Sequence, residues 1–142
     1  MAFRASLVAA ACLGALAHAK MSDAPYFYNT KRPLVVAHRG SDSRFPEESI
    51  GGLEDAYFQG TDFIEFDLQV TKDGILVVQH DSYLNKTTNI EEFADTFGDR
   101  MHSNGRYYVS DFKLVELRLL KRSMRESWRS PLMNDKFEIM TL

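Results

Sequence analysis

Two short apolar runs, Leu34-Val35-Val36-Ala37 and Ile75-Leu76-Val77-Val78, each lead to a histidine followed by a charged residue: His38-Arg39 after the first, His80-Asp81 after the second. Uninterrupted apolar runs of this length read as strands buried on both faces, the pattern of a parallel sheet. Both histidines then stand at strand exits, the end at which parallel α/β folds collect their chemistry. Between them, Phe63-Ile64-Glu65-Phe66-Asp67-Leu68 alternates. A single strand there puts Glu65 and Asp67 on one face, ~7 Å apart along the backbone, and Ile64, Phe66 and Leu68 on the other. Such a carboxylate pair is either hydrated on an edge strand or the ligand set of a hard divalent cation, Mg2+ or Ca2+, which prefers oxygen. Two histidines around the pair are the residue types of a general base and a general acid at a phosphoryl centre, and Arg39 is suited to clamping phosphate oxygens.

The ordered motifs His38-Arg39-Gly40, Pro46-Glu47-Glu48-Ser49, Glu65-Phe66-Asp67, Thr71-Lys72-Asp73-Gly74 and His80-Asp81 resemble those of the glycerophosphodiester phosphodiesterase family. The resemblance covers residues 33–142 and is densest over 38–81; Glu48-Ser49 stands where the family usually has Asn-Thr. It implies an α/β fold, a (βα)8 TIM barrel. Residues 33–142 would supply its N-terminal part, the first two βα units plus an inserted loop region. A whole barrel takes about 250 residues, and the family's third metal carboxylate would fall on a strand beyond Leu142. The expectation is therefore a fragment of a longer protein or a truncated isoform. The implied reaction is metal-dependent hydrolysis of small glycerophosphodiesters to sn-glycerol 3-phosphate and an alcohol. The resemblance assigns catalysis to His38, His80 and Arg39. It assigns Mg2+ or Ca2+ to Glu65 and Asp67, with Glu47 close by, and substrate contacts to Arg39 and Glu47. Two alternatives remain: a sphingomyelinase D-like activity on lysophospholipids, and a secreted remnant that binds metal or a partner without turnover.

Residues 1–19 carry Arg4, an apolar stretch and a closing Ala17-His18-Ala19, the layout of a secretory signal peptide. The stretch falls short of the roughly 17 residues a membrane span needs. Cleavage after Ala19 removes the only cysteine, Cys12, so the secreted chain would be held by packing alone. A net charge of −3 argues against nucleic acid as a partner. Residues 20–32 read as a leader.

Ser49 to Gln59 reads as a helix capped by Ser49, with Ile50, Leu53, Ala56 and Tyr57 on its apolar face and Gly60 as its stop. Lys72-Asp73-Gly74 is a turn that sends Ile75–His80 back antiparallel. Residues 82–109 read as a polar, loop-rich excursion holding an exposed His102 and the sequon Asn85-Lys86-Thr87. Asp111 to Arg122 reads as a helix capped by Asp111. The basic run Lys113, Arg118, Lys121, Arg122, Arg125 and Arg129 reads as a solvated face.

Overall fold

The computed structural model describes residues 32–142. The expected signal peptide and nearly all of the expected leader lie outside the described residues. The chain divides into two units, Met1–Pro33 and Leu34–Leu142, and the account below is of the second.

The first strand, β1, is Val36–His38; helix α1 is Ile50–Phe58; strand β2 is Phe63–Glu65. β1 and β2 pair in parallel, with Val36 beside Phe63, Ala37 beside Ile64 and His38 beside Glu65. This is a βαβ unit, and its register carries the first histidine and the first carboxylate to the same level. Ser49 caps α1 as expected, its hydroxyl accepting from the Gly52 N–H at 3.2 Å. The helix begins where the loop from Gly40 turns under it, with Ser41 N–H donating to Gly52 C=O at 2.9 Å. Gly40 has φ +84°, and a Cβ there would lie 2.9 Å from the Gly52 backbone. The glycine of the His-Arg-Gly motif thus has two physical causes, its left-handed conformation and the close approach of α1.

The stretch Phe63–Leu68 is not one strand. It breaks at Phe66-Asp67, and β3 resumes at Leu68–Val70. β3 pairs antiparallel with β4, Leu76–Val78, through the Thr71–Gly74 turn. The break is a change of partner: Glu65 C=O accepts from Arg39 N–H at 3.0 Å, whereas Asp67 C=O accepts from Gln79 N–H at 2.9 Å. The expected return of Ile75–His80 is present in this hairpin.

Among the described residues β1 has a strand neighbour on one side only, and Val35 and Val36 are 52% and 55% exposed. The expected double-faced burial of this run is not found. The core gathers instead around β4, where Val77 packs with Leu84, Ile90, Phe97, Tyr107, Val109, Phe112, Leu117, Leu120 and Ile139. Most of these come from the region read as polar excursion. There, short helical turns at Ile90–Phe93, Ala94–Phe97 (α2), Gly98–Arg100 and Val109–Asp111 fold over the hairpin. The sequon's Asn85 braces this region, donating to Gly105 C=O at 3.1 Å and accepting from Tyr107 N–H at 3.0 Å.

The helix expected over Asp111–Arg122 shrinks to one turn, Leu114–Leu117 (α3), with Lys113 rather than Asp111 at its N-cap position. Asp73 of the hairpin turn accepts from Leu114 N–H at 3.0 Å and fixes that start. Leu117, Leu120 and Arg122 are all fully buried. Their spacing changes from three to two as the chain leaves the helical turn and becomes extended, bridging Lys121 to Glu138 and Arg122 to Thr88.

Candidate active site

His38 ends β1 and is exposed; His80 follows β4 by two residues, its side chain 38% exposed. Arg39, Glu47, Glu65 and Asp67 meet between them. Arg39 sits at φ +57°, and so does Glu48, whose N–H donates to Arg39 C=O at 2.9 Å. Two non-glycine residues in the left-handed region bracket one loop, an unfavourable conformation held by that closing bond and by the packing against α1. The resulting turn aims the Arg39 N–H at Glu65 Oε2, 3.1 Å away, and its guanidinium at two further carboxylates. Arg39 Nη1 lies 3.4 Å from both Glu47 oxygens, and Nε lies 3.4 Å from Asp67 Oδ2.

A residue the sequence reading assigned to a solvated surface completes the cluster. Arg125 donates through Nε and Nη2 to the two oxygens of Glu47, both at 2.7 Å, and through Nη1 to Asp81 Oδ2 at 2.9 Å. The other oxygen of Asp81 lies 2.8 Å from His80 Nδ1. A continuous chain of ion pairs therefore runs Asp67–Arg39–Glu47–Arg125–Asp81, and Asp81 links it to the His80 ring. Beside it a cavity of about 90 Å³ has Arg39, Asp42, Glu47, Arg125, Glu126 and Arg129 among its lining residues.

Two more buried groups support the cluster from beneath. Glu48 is fully buried, and its Oε1 accepts from Asp67 N–H at 2.7 Å. Arg122, also fully buried, donates to Gln79 Oε1 at 2.8 Å and to Val78 C=O, tying the exit of β4 to the C-terminal part of the chain. Burial pulls the Arg122 guanidinium down to about 10, against the opposing pull of Glu48 and Glu47. The signal for these arginines lies in the acids: residues 38–81 carry ten carboxylates, Glu47, Glu48, Glu65, Asp67 and Asp81 among them, and supply only Arg39 and Arg44 as arginines. Buried carboxylates need counter-charge, and the basic run downstream is where it comes from.

The environment separates these acids. Burial pushes Glu47 up, but the hydrogen bonds and charge of Arg125, with Arg39 behind, outweigh it and hold Glu47 below 4.5. Asp81 is likewise held below 3.8: burial opposes the shift, and the contacts to Arg125 and His80 win. Glu48 is raised, because burial exceeds what the Asp67 and His80 N–H groups and Arg122 return; Asp67 adds negative charge beside it. Glu47 and Asp81 contribute stability that is present above their ordinary values and lost as pH falls through their lowered ones. Glu48 contributes stability that is full below 4.5 and lost as pH rises through its raised value. The thermal midpoint, scanned from about pH 3 to about pH 8, should therefore peak on the mildly acidic side. Glu48→Gln should remove the decline toward neutrality and keep the acid limb. A neutral decline that survives Glu48→Gln would refute the assignment.

Among the described residues no group of three or more His, Cys, Asp or Glu is placed to hold a metal ion. Glu65 and Asp67 both turn toward Arg39, and Asp67 Oδ2 is buried without a hydrogen-bond partner. These two fit as oxygen donors to a hard cation. Both oxygens of Glu47 are occupied by Arg125.

A parallel βαβ unit with a histidine at the exit of β1, an arginine set among paired carboxylates and a second histidine after β4 is consistent with an α/β enzyme of the TIM-barrel type. Residues 38–142 match the Glycerophosphoryl diester phosphodiesterase family, and the chain belongs to that family. It is 38% identical over 118 residues to an Arabidopsis thaliana glycerophosphodiester phosphodiesterase, covering 79% of this chain and 32% of that one. To a Haemophilus influenzae glycerophosphodiester phosphodiesterase it is 41% identical over 88 residues, 62% of this chain and 23% of that one. Its fold is similar to that of an Oleispira antarctica phosphodiesterase solved with the product sn-glycerol-3-phosphate. There the TM-score is 0.58 at 31% identity, covering 78% of this chain and 37% of that one. The chain thus spans about a third or less of the length of these two curated relatives.

Proposed function

We propose that the chain carries the acid–base histidines and phosphate clamp of a metal-assisted glycerophosphodiester phosphodiesterase, releasing sn-glycerol 3-phosphate and an alcohol. The observation that carries this reading is the β1–β2 register, which sets His38 abreast of Glu65 while Arg39, the next residue, engages Glu65, Asp67 and Glu47. Residues 33–142 act in this reading as the N-terminal part of a (βα)8 barrel, with the β1–α1–β2 unit at its start and the excursion folded over the β3–β4 hairpin. Residues 1–19 direct the chain out of the cytoplasm and are removed.

His80 is held by Asp81 through Nδ1, which leaves Nε2 to take a proton from the incoming oxygen nucleophile or give one to the leaving alcohol. His38 takes the opposite role. As the new P–O bond forms and the ester P–O bond breaks, negative charge grows on the phosphoryl oxygens, and the Arg39 guanidinium faces that charge with a planar pair of N–H donors. Glu65 and Asp67 are the donors for a divalent ion, Mg2+ or Ca2+, which when bound supplies Lewis-acid polarisation of the phosphoryl group. Glu47 joins them only by giving up a contact to Arg125.

The test is release of sn-glycerol 3-phosphate from glycerophosphocholine by the purified chain, with and without EDTA, followed by re-addition of Mg2+ or Ca2+. Ion-dependent release is expected, and Glu65→Ala should lower the rate by roughly 10²-fold or more and abolish the response to added ion. Absence of release under every ion condition would overturn the reading for this chain. N-terminal sequencing of the exported protein tests the leader: a start at Lys20 is expected, and a retained Met1 would overturn it.

A further inference from the structure

Arg125 is far in sequence from the two carboxylates it bonds, 78 residues from Glu47 and 44 from Asp81. The three residues that lead to it are nonetheless held by their backbone N–H groups. Arg122 N–H donates to Phe137 C=O at 2.7 Å, Ser123 N–H to Thr87 C=O at 2.9 Å, and Met124 N–H to Asn134 Oδ1 at 2.8 Å. The Arg122 side chain locks the same segment to Val78 and Gln79, directly before His80. A planar guanidinium presented from so fixed a segment, with a two-point grip on Glu47 and a third bond to Asp81, is a rigid bracket. Each carboxylate it holds has one further partner in the cluster: Asp81 reaches His80, and Glu47 reaches Arg39.

We propose that Arg125 is a positioning residue for the phosphodiester hydrolysis inferred above. By fixing Asp81 it sets the tautomer and direction of the His80 ring; by fixing Glu47 it sets the reach of the Arg39 guanidinium. One side chain thereby spaces the proton-transfer group from the phosphate clamp. Arg125 does not touch the reacting atoms in this scheme. The proposal rests on the reading of the site as a phosphodiesterase centre, and its test is arranged to fail separately.

The experiment uses the full chain, with Arg125→Ala, Arg125→Lys and Arg129→Ala compared with the parent in two readouts. The first is the ¹⁵N spectrum of the His80 ring at mildly alkaline pH, assigned through His80→Gln. The parent should hold the proton on Nδ1, facing Asp81, and Arg125→Ala should give a mixture of both tautomers. The second is product release from glycerophosphocholine. There Arg125→Ala should lower kcat about 30-fold and move KM less than about threefold, the size of effect expected of a group that orients catalytic ligands. Arg125→Lys should recover only part of the loss, since an ammonium meets one carboxylate at a time; if the alanine variant does not fold, the lysine variant carries the test. Arg129→Ala, which breaks contacts to Asp42 in the same cavity, should leave the His80 tautomer unchanged. An unchanged His80 tautomer in the Arg125 variants would overturn the proposal. So would an equal disturbance from Arg129→Ala. A parent without turnover would instead overturn the phosphodiesterase reading, and the tautomer comparison would still decide the role of Arg125.

Discussion

Replacing His80 with alanine should lower the proposed kcat by roughly 10³-fold, within the range a positioned acid–base group supplies, while leaving the fold intact. Two features separate these effects. The ring is 38% exposed, so its removal opens no cavity in the core. Asp81 keeps its bond to Arg125, so no buried charge is orphaned. The thermal midpoint should reflect a change of no more than about 0.5 kcal/mol, as for a surface substitution. His38→Ala should behave in the same way, since His38 is exposed at the end of β1 beside Glu65. If both rings serve one step in complementary roles, the double variant should lose much less than the product of the two single losses. Initial rates of sn-glycerol 3-phosphate release, with circular-dichroism melts on the same samples, check all three variants. Full turnover in either single variant would remove that histidine from the mechanism.

The local half of this site was legible because its signals are local. The cap at Ser49, the Thr71–Gly74 turn, the β3–β4 return and the strand exits at His38 and His80 each follow from a few neighbouring residues. The break at Phe66-Asp67 was not legible: alternation continues through it, and what changes is the strand that accepts the hydrogen bonds. Arg122 and Arg125 were missed for a related reason. Read as a helix, their run has the spacing of a solvated face; folded, the segment is extended, and the period of burial changes from three residues to two. The isolated apolar run at residues 34–37 misled in the opposite direction. Its hydrophobicity marks it as strand but cannot say which elements cover it, and Val35 and Val36 stand half exposed.

The same distinction yields the largest expected change in stability. Phe112 lies in a stretch read as the start of a basic helix, yet it is fully buried, with ring centroids 5.3 Å from Phe97 and 6.4 Å from Tyr107. The Arg100 guanidinium lies 5.0 Å from the Phe112 ring centroid, and Phe112 C=O accepts from Lys72 N–H at 2.8 Å, joining this residue to the hairpin turn. Phe112→Ala should cost about 3–5 kcal/mol, the transfer term of the ring plus the cavity it leaves. That is a large share of the 5–15 kcal/mol typical of a whole domain. Phe58 is the counterpart: it ends α1 among apolar neighbours in the sequence, but is 82% exposed. Phe58→Ala should change stability by no more than about 0.5 kcal/mol. Urea unfolding of the two variants separates the explanations. A cost below about 1 kcal/mol for Phe112→Ala would mean that the cluster around Val77 is not the core. A large cost for Phe58→Ala would mean that the α1 face is covered in solution. The expected order, Phe112 far above Phe58, places the stabilising contacts beneath β4, on the side from which Arg122 and Arg125 reach the site.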